Sequence, residues 1–208
     1  MLSESGAKVV RMPDDRPEEL RGLIRPLVVV AEKTGLTANQ VSVFSAVTAF
    51  SAGLLASYST RTGYIAAAFL ITVNGVLDLV DGELARSTGN ATDRGDALDH
   101  TLDRYADTAV TVGFTAGVGE WMLGAFALTG VFLTSYMGTQ AEAIGAGRIY
   151  RGALARANII GLGLAGCVLQ VTVATVLGHE PLFWVLVAYA VLGHLTAAER
   201  FVVAWRRL

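Results

Sequence analysis

The chain has 208 residues, of which 53% are hydrophobic and only 16% are charged. Soluble globular domains carry about 25% charged residues, so this composition is typical of a protein embedded in lipid. The net charge of −2 offers no basic surface for a nucleic acid, and the single cysteine, Cys167, excludes a disulfide within the chain.

The N-terminal region is expected to lie outside the hydrocarbon. It is polar and shows no apolar core followed by a cleavage site, so we expect no secretory signal peptide. Residues 17–35 combine apolar side chains with Glu, Arg and Lys at helical spacing. We therefore interpret residues 1–35 as a cytoplasmic arm followed by an amphipathic juxtamembrane helix on the membrane surface, and residues 36–208 as one membrane domain.

Six apolar stretches follow, with limits near 39–58, 64–85, 96–118, 121–143, 154–177 and 181–204. Each is close to the ~20 residues that a helix needs to cross the hydrocarbon of a bilayer. The sequence therefore predicts an all-α integral membrane protein of six transmembrane helices plus the N-terminal amphipathic helix.

The distribution of basic residues predicts the orientation of these spans. With six spans, the Lys and Arg residues of the N-terminal segment, of the second and fourth connections and of the C-terminus lie on one side, whereas the opposite side carries only Arg61. Because basic residues accumulate on the cytoplasmic side, we expect a multi-pass protein of the cell membrane with both termini in the cytoplasm.

Carboxylates gather where the second and third apolar stretches meet. Asp78 and Asp81 lie three residues apart on one helix face, and Asp99 and Asp103 lie four apart on a face of the next helix. Charges are costly inside a membrane, and converging carboxylates repel one another unless a cation lies between them. Hard oxygen ligands favour Mg²⁺, Mn²⁺ or Ca²⁺ over zinc, so the sequence predicts a divalent metal site here.

Residues on the same helix faces leave room for a ligand beside these carboxylates. Gly82, Ala85 and Gly95 have little or no side chain, so a bulky group such as a nucleotide could approach the backbone. Arg86 can offer a planar pair of donors to a phosphate. A phosphate-containing ligand held by metal ions is therefore the interpretation that these residues favour.

The spacing of these residues resembles a family signature. The chain reads Asp-x-x-Asp-Gly-x-x-Ala-Arg from Asp78 to Arg86, and Gly-x-x-x-Asp-x-x-x-Asp from Gly95 to Asp103. This resembles the signature of the CDP-alcohol phosphotransferases, also called CDP-alcohol phosphatidyltransferases, with every specified position present. Upstream, Thr37-Ala38-Asn39 is similar to the family's Thr-Pro-Asn entry to its first span, with alanine in place of proline.

The resemblance implies an enzyme that transfers a lipid phosphate group from a CDP-lipid, CDP-archaeol or CDP-diacylglycerol, to a small alcohol and releases CMP. It implies two divalent ions, Mg²⁺ or Mn²⁺, on Asp78, Asp81, Asp99 and Asp103, with Asp103 as general base. The residues that it implies for CDP binding are Asn39, Asp78, Gly82, Ala85, Arg86 and Gly95. Family members are commonly homodimers, so we expect one.

The acceptor alcohol is less well determined. Ser135-Tyr136 and the residues after them resemble the branch that makes archaetidyl or phosphatidyl derivatives of inositol phosphate and glycerol phosphate. In its inositol-phosphate-using members Lys and Arg typically occupy the positions that are Gly138 and Gln140 here, so glycerol phosphate is our expected acceptor, with inositol phosphate or serine as alternatives. Candidate ligands for the acceptor phosphate are Arg148, Arg151 and Arg156.

For the other charged residues of the spans we predict no catalytic role. His100 and Arg104 each follow a motif aspartate by one residue, so they should point away from it and serve either in packing or in supporting the residues that bind the ligands. Arg200 could line the cavity of the site, but a place at the interface or in an ion pair is what we expect. A cation transporter is the alternative from another class, but its polar groups would be spread over several spans, whereas these carboxylates cluster at one end of two helices.

Overall fold

The computed structural model describes residues 18–208, with side chains from Gly22 onward. These residues form seven helices: α1 (Glu18–Thr34), α2 (Ala38–Ser57), α3 (Arg61–Ser87), α4 (Asp93–Val118), α5 (Trp121–Ala143), α6 (Arg156–Thr172) and α7 (Pro181–Arg207). The predicted all-α class is confirmed. Residues 1–17, predicted to be a cytoplasmic arm, lie outside the described residues.

Four helices, α2, α3, α5 and α7, are each long and apolar enough to cross a membrane. The first half of α4 carries the acidic motif, and α6 has only 17 residues. It ends at Thr172 and not at residue 177 as expected, because the chain then turns and Val176 pairs with His179. A multi-pass membrane protein is therefore supported, while the number of six spans stays a prediction.

Threonine side chains cap the N-termini of α2 and α4, the two helices that begin close to the acidic motif. At α2 the Thr37 side chain accepts the N–H of Gln40, and the Gln40 side chain accepts the N–H of Thr37. At α4 the Thr92 hydroxyl accepts the N–H of Gly95. Because the first backbone N–H groups of a helix have no partner within it, these caps fix where α2 and α4 begin.

Helix α1 packs along the end of α3 that carries the acidic motif. Its Ile24, Val28 and Ala31 are buried against Val80 and Leu84 of α3. The predicted amphipathic helix is thus present, and its buried face fixes the motif-bearing part of α3. Its position on the membrane surface stays a prediction.

Pairs of glycines set the distance between neighbouring helices. Gly53 of α2 lies against Gly113 of α4, so closely that a Cβ atom on either would overlap the other helix's backbone. Gly130 of α5 and Gly193 of α7 meet in the same way. Small residues allow this close packing in lipid, where helix association depends on van der Waals contact. The Gly53–Gly113 contact lies near the C-terminal ends of α2 and α4.

We expect Gly113→Ala to destabilise the protein by about 1–3 kcal/mol, because the added methyl group overpacks the α2–α4 contact. Gly161→Ala is the matched control, since a Cβ there meets nothing within 4 Å and alanine is the better helix former. Thermal unfolding of the detergent-purified variants would show a lower midpoint for Gly113→Ala alone. Equal midpoints for both variants would contradict the close helix contact.

Candidate active site

Three carboxylates converge between α3 and α4. Asp78, Asp81 and Asp99 each present an oxygen, and these oxygens lie within 4.8 Å of one another. Asp81 is only 4% exposed, and its Oδ2 accepts the hydroxyl of Ser42 at 2.8 Å. Negative charges this close together are unfavourable without a counter-charge, and an all-oxygen donor set suits Mg²⁺ or Mn²⁺. The residues present therefore fit a divalent cation.

Asp103, the fourth aspartate of the motif, lies beside this group. It is 8% exposed, and its carboxylate lies within 4.8 Å of side-chain atoms of Asp99 and His100. The guanidinium of Arg156 contacts Asp103 and lies 3.2 Å from Oδ1 of Asp78. Arg156, at the start of α6, thus joins the two ends of the acidic motif.

A cavity of about 280 Å³ opens over these aspartates, and we call it the carboxylate cavity. It is lined by all the residues predicted to bind CDP and metal: Asn39, Asp78, Asp81, Gly82, Ala85, Arg86, Gly95, Asp99 and Asp103. A Cβ on Gly95 would lie 3.2 Å from Oδ1 of Asn39, so glycine keeps the starts of α2 and α4 in close contact. At its edge, Arg86 pairs with Glu83 at 2.9 Å.

A second cavity, of about 580 Å³, lies among α4, α5, α7 and the α5–α6 connection. We call it the arginine cavity because its lining includes Arg104, Arg148, Arg156 and Arg200. Asp103 lines both cavities, so its carboxylate stands at the point where they meet. A molecule in one cavity could react with a molecule in the other beside Asp103.

Neighbouring side chains hold two of these arginines. Arg104 pairs with the buried Asp107 at 2.9 Å and contacts the Ser135 hydroxyl. Arg148 places Nη2 2.6 Å from Nε2 of His100. A guanidinium can only donate, so Arg148 is the donor in this contact. Both guanidinium groups are thereby fixed at the cavity wall.

The arginines that line the arginine cavity are not the same as those that we predicted to bind the acceptor phosphate. Arg148 and Arg156 line it, but Arg151 does not: its side chain is 74% exposed and its Nε lies 3.9 Å from Oε1 of Glu199. Arg104 and Arg200, expected in packing or at the interface, line it instead.

The sequence contains a feature from which Arg104 and Arg200 could have been predicted as residues of the site. A charged side chain within an apolar span is costly and so needs a polar partner or a cavity. His100 and Arg104 are also four residues apart and share one face of α4. Both residues line the second cavity, but His100 does not point away from Asp99 as predicted, because one of its ring nitrogens lies within 4.8 Å of a carboxylate oxygen of Asp99.

Comparison with known proteins identifies the family of this chain. The family model for CDP-alcohol phosphatidyltransferases matches residues 35–205. The chain is 33% identical over 207 residues to the archaetidylinositol phosphate synthase of Methanothermobacter thermautotrophicus, covering 95% of this chain and 100% of that protein. It is 34% identical over 127 residues to the phosphatidylinositol phosphate synthase of Streptomyces avermitilis, covering 55% of this chain and 52% of that protein.

Solved structures share the fold. The phosphatidylinositol phosphate synthase of Mycobacterium tuberculosis, in a crystal structure with CDP-diacylglycerol bound, matches with a TM-score of 0.75 and 24% identity. The match covers 88% of this chain and 94% of that chain. Since the family model covers most of the sequence and the archaeal relative aligns along its full length, the chain belongs to the CDP-alcohol phosphatidyltransferase family and is a phosphotransferase of phospholipid synthesis.

Proposed function

We propose that this enzyme transfers the archaetidyl or phosphatidyl group of a CDP-lipid to inositol phosphate and releases CMP. The observation that carries the proposal is the meeting of two cavities at Asp103, one lined by carboxylates and the other by four arginines. A carboxylate site suits a metal-bound diphosphate, and guanidinium groups suit a phosphate on the acceptor. Both substrates of such a transfer would then flank one carboxylate.

In this proposal the carboxylate cavity holds the CDP part of the donor. Asp78, Asp81 and Asp99 would bind the divalent ions, with Asp103 next to them. Mg²⁺ or Mn²⁺ bound there would neutralise the negative charge of the diphosphate. Arg86 offers a further positive charge at the cavity's edge. The small residues Gly82, Ala85 and Gly95 leave space for the nucleotide against the helix backbones, near Asn39.

Asp103 is the general base of the proposed reaction. Its carboxylate takes the proton of the acceptor hydroxyl, and the acceptor oxygen forms a bond to the β-phosphorus of the CDP-lipid. The bond from that phosphorus to the oxygen bridging to CMP breaks, and CMP leaves with the electron pair. Arg156 contacts Asp103 and so orients its carboxylate between the two cavities.

Two lines of support favour inositol phosphate over the glycerol phosphate that we expected from the sequence. The names of both curated relatives specify an inositol phosphate lipid. Further, the absence of a Lys side chain at Gly138 leaves space that a cation occupies, because a Cβ on Gly138 would lie 3.1 Å from Nη1 of Arg200. The Arg200 guanidinium thus uses space beside α5 that a side chain at position 138 would fill. Serine carries no phosphate to pair with these arginines.

The proposed orientation places the active site on the cytoplasmic side. The α3–α4 and α5–α6 connections and the end of α7 lie near the two cavities, and these segments carry the basic residues that indicate the cytoplasm. The homodimer stays a prediction, which light scattering of the detergent-purified protein would test. A cation transporter finds no support, since the chain belongs to an enzyme family.

The proposal is tested by CMP release from purified protein with Mg²⁺ or Mn²⁺. CDP-archaeol and CDP-diacylglycerol serve as donors, and inositol phosphate, glycerol phosphate, serine, inositol and glycerol serve as acceptors. We expect release with inositol phosphate and little with unphosphorylated inositol. Faster release with glycerol phosphate would replace the proposed acceptor, and equal rates with unphosphorylated alcohols would contradict a phosphate role for the arginine cavity.

Arg148→Ala is expected to raise the KM for inositol phosphate by about 10–100-fold, as one lost hydrogen bond to a charged group does. The KM for the CDP-lipid should not change, because Arg148 lines only the arginine cavity. Arg151→Ala is the matched control, since its exposed side chain lies outside that cavity. Steady-state kinetics with each substrate varied would measure both values. A larger effect in Arg151→Ala would reverse our assignment of the two arginines.

A further inference from the structure

The α5–α6 connection, residues 144–155, forms one wall of the arginine cavity and carries Arg148. It contains no helix or strand, and three glycines in it, Gly145, Gly147 and Gly152, have positive φ angles. A loop of this kind does not fix its own shape by a regular ladder of backbone hydrogen bonds. The position of Arg148 in the cavity therefore depends on contacts from outside the loop.

Arg200 of α7 makes such contacts with backbone carbonyl groups. Its Nε donates to the carbonyl of Arg151 at 2.8 Å, and its Nη2 donates to that of Tyr150 at 3.4 Å. Its Nη1 donates to the carbonyl of Thr134 in α5 at 2.6 Å. Arg200 is only 7% exposed, so one buried guanidinium joins α5, α7 and the loop.

Two other side chains of α7 attach the same loop. The hydroxyl of Thr196 accepts the N–H of Leu154 at 3.1 Å, and Arg207 donates to the carbonyl of Ala146 at 3.0 Å. With Arg200 between them, α7 holds the loop near both ends and in the middle. The wall of the arginine cavity is thus fixed by one helix through side chain-to-backbone hydrogen bonds.

We propose that Arg200 is a positioning residue for the phosphorylated acceptor, because it fixes the loop from which Arg148 reaches into the cavity. The proposal rests on the proposed function, in which that cavity binds the acceptor. Three of the five N–H groups of Arg200 donate to carbonyls, two of them in the loop, so the contacts that the structure shows for Arg200 act on the loop and on α5. A lysine would keep the charge but could not span these carbonyls, since its ammonium is a compact point charge without the planar fork.

Two variants test this role in the full chain. Arg200→Lys keeps the charge and loses the fork, whereas Thr196→Val removes the bond to Leu154 and leaves every charge unchanged. We expect both to speed hydrogen–deuterium exchange in residues 146–154 and to raise the KM for inositol phosphate about tenfold, with the KM for the CDP-lipid unchanged. Arg206→Lys, at an exposed position of α7, is the matched control and should change neither measurement.

A double-mutant cycle separates positioning from direct phosphate binding. If Arg200 acts through the loop, adding Arg200→Lys to Arg148→Ala should raise the KM for inositol phosphate little further, because the loop then holds no phosphate ligand. Two independent phosphate ligands would instead give multiplied effects, and that result would overturn the proposal. Unchanged exchange of residues 146–154 in Arg200→Lys would also overturn it.

The exchange measurement needs no acceptor, so it distinguishes this proposal from the acceptor assignment. If the unmodified protein releases no CMP with inositol phosphate, the assigned acceptor is wrong and the kinetic cycle is run with glycerol phosphate. If Arg200→Lys does not fold, Thr196→Val decides alone. Unchanged loop exchange together with an unchanged acceptor KM in that variant would refute the role of α7.

Discussion

Asp103→Asn is expected to lower the rate of CMP release by about 10³-fold, within the range for loss of a positioned general base. The amide keeps the shape of the carboxylate, so both cavities should persist, but it cannot take the proton of the acceptor hydroxyl. Because Asp103 lies between the two cavities, we expect this loss of rate to be the largest that a single Asp→Asn substitution causes. CMP release under saturating donor and acceptor measures it.

Asp93→Asn is the control for this prediction, because Asp93 is an exposed carboxylate in the first turn of the same helix. It should leave the rate within a few-fold of the unmodified protein. Thermal unfolding should show that Asp103→Asn remains folded. Near-normal turnover in a folded Asp103→Asn protein would remove Asp103 from the role of base and leave the arginine cavity without a reactive neighbour.

Asp81→Asn is expected to weaken Mn²⁺ binding by at least about 100-fold, since even residues that only orient a metal ligand contribute about 10–100-fold to affinity. Asp81 is the most buried of the three converging carboxylates, so water cannot readily replace its oxygen. Ser42→Ala, which removes the hydrogen bond to Asp81 but no carboxylate, should weaken binding by about tenfold. Calorimetric titration of metal-free protein with Mn²⁺ measures both affinities.

Asp96→Asn is the control here, because Asp96 lines the carboxylate cavity but does not belong to the group of three. The affinity of the Asp96→Asn protein for Mn²⁺ should stay close to that of the unmodified protein. Chelation of metal should stop CMP release, and added Mg²⁺ or Mn²⁺ should restore it. If Asp81→Asn and Asp96→Asn weakened binding equally, the cavity's overall charge rather than a defined set of ligands would hold the metal.

The acidic motif could be predicted from the sequence because its geometry is local. Asp78 and Asp81, and Asp99 and Asp103, lie on common helix faces wherever those helices form, and only a short turn joins the two helices. The glycines of the same motif mark the space beside them. The carboxylate cavity of the structure is accordingly lined by every residue predicted for metal and CDP.

Ser42 and the arginine cavity required the tertiary structure. Ser42 lies in α2, 39 positions before Asp81 in the chain, and its hydroxyl donates to the Asp81 carboxylate. Arg104, Arg148, Arg156 and Arg200 come from α4, a loop, α6 and α7, and no short-range spacing relates them. Arg151 and Arg148 look alike in sequence, yet the loop turns one outward and the other into the cavity.

The helical membrane class, the family and the catalytic aspartates that we propose could all be predicted from the sequence, because apolar length and helical spacing are properties of neighbouring residues. Which arginines line the arginine cavity, and which groups hold them there, became known only from the folded chain. A buried guanidinium needs carbonyl or carboxylate partners, and the fold brings those partners together from distant parts of the sequence. For Arg200 these partners lie 49 to 66 positions away along the chain.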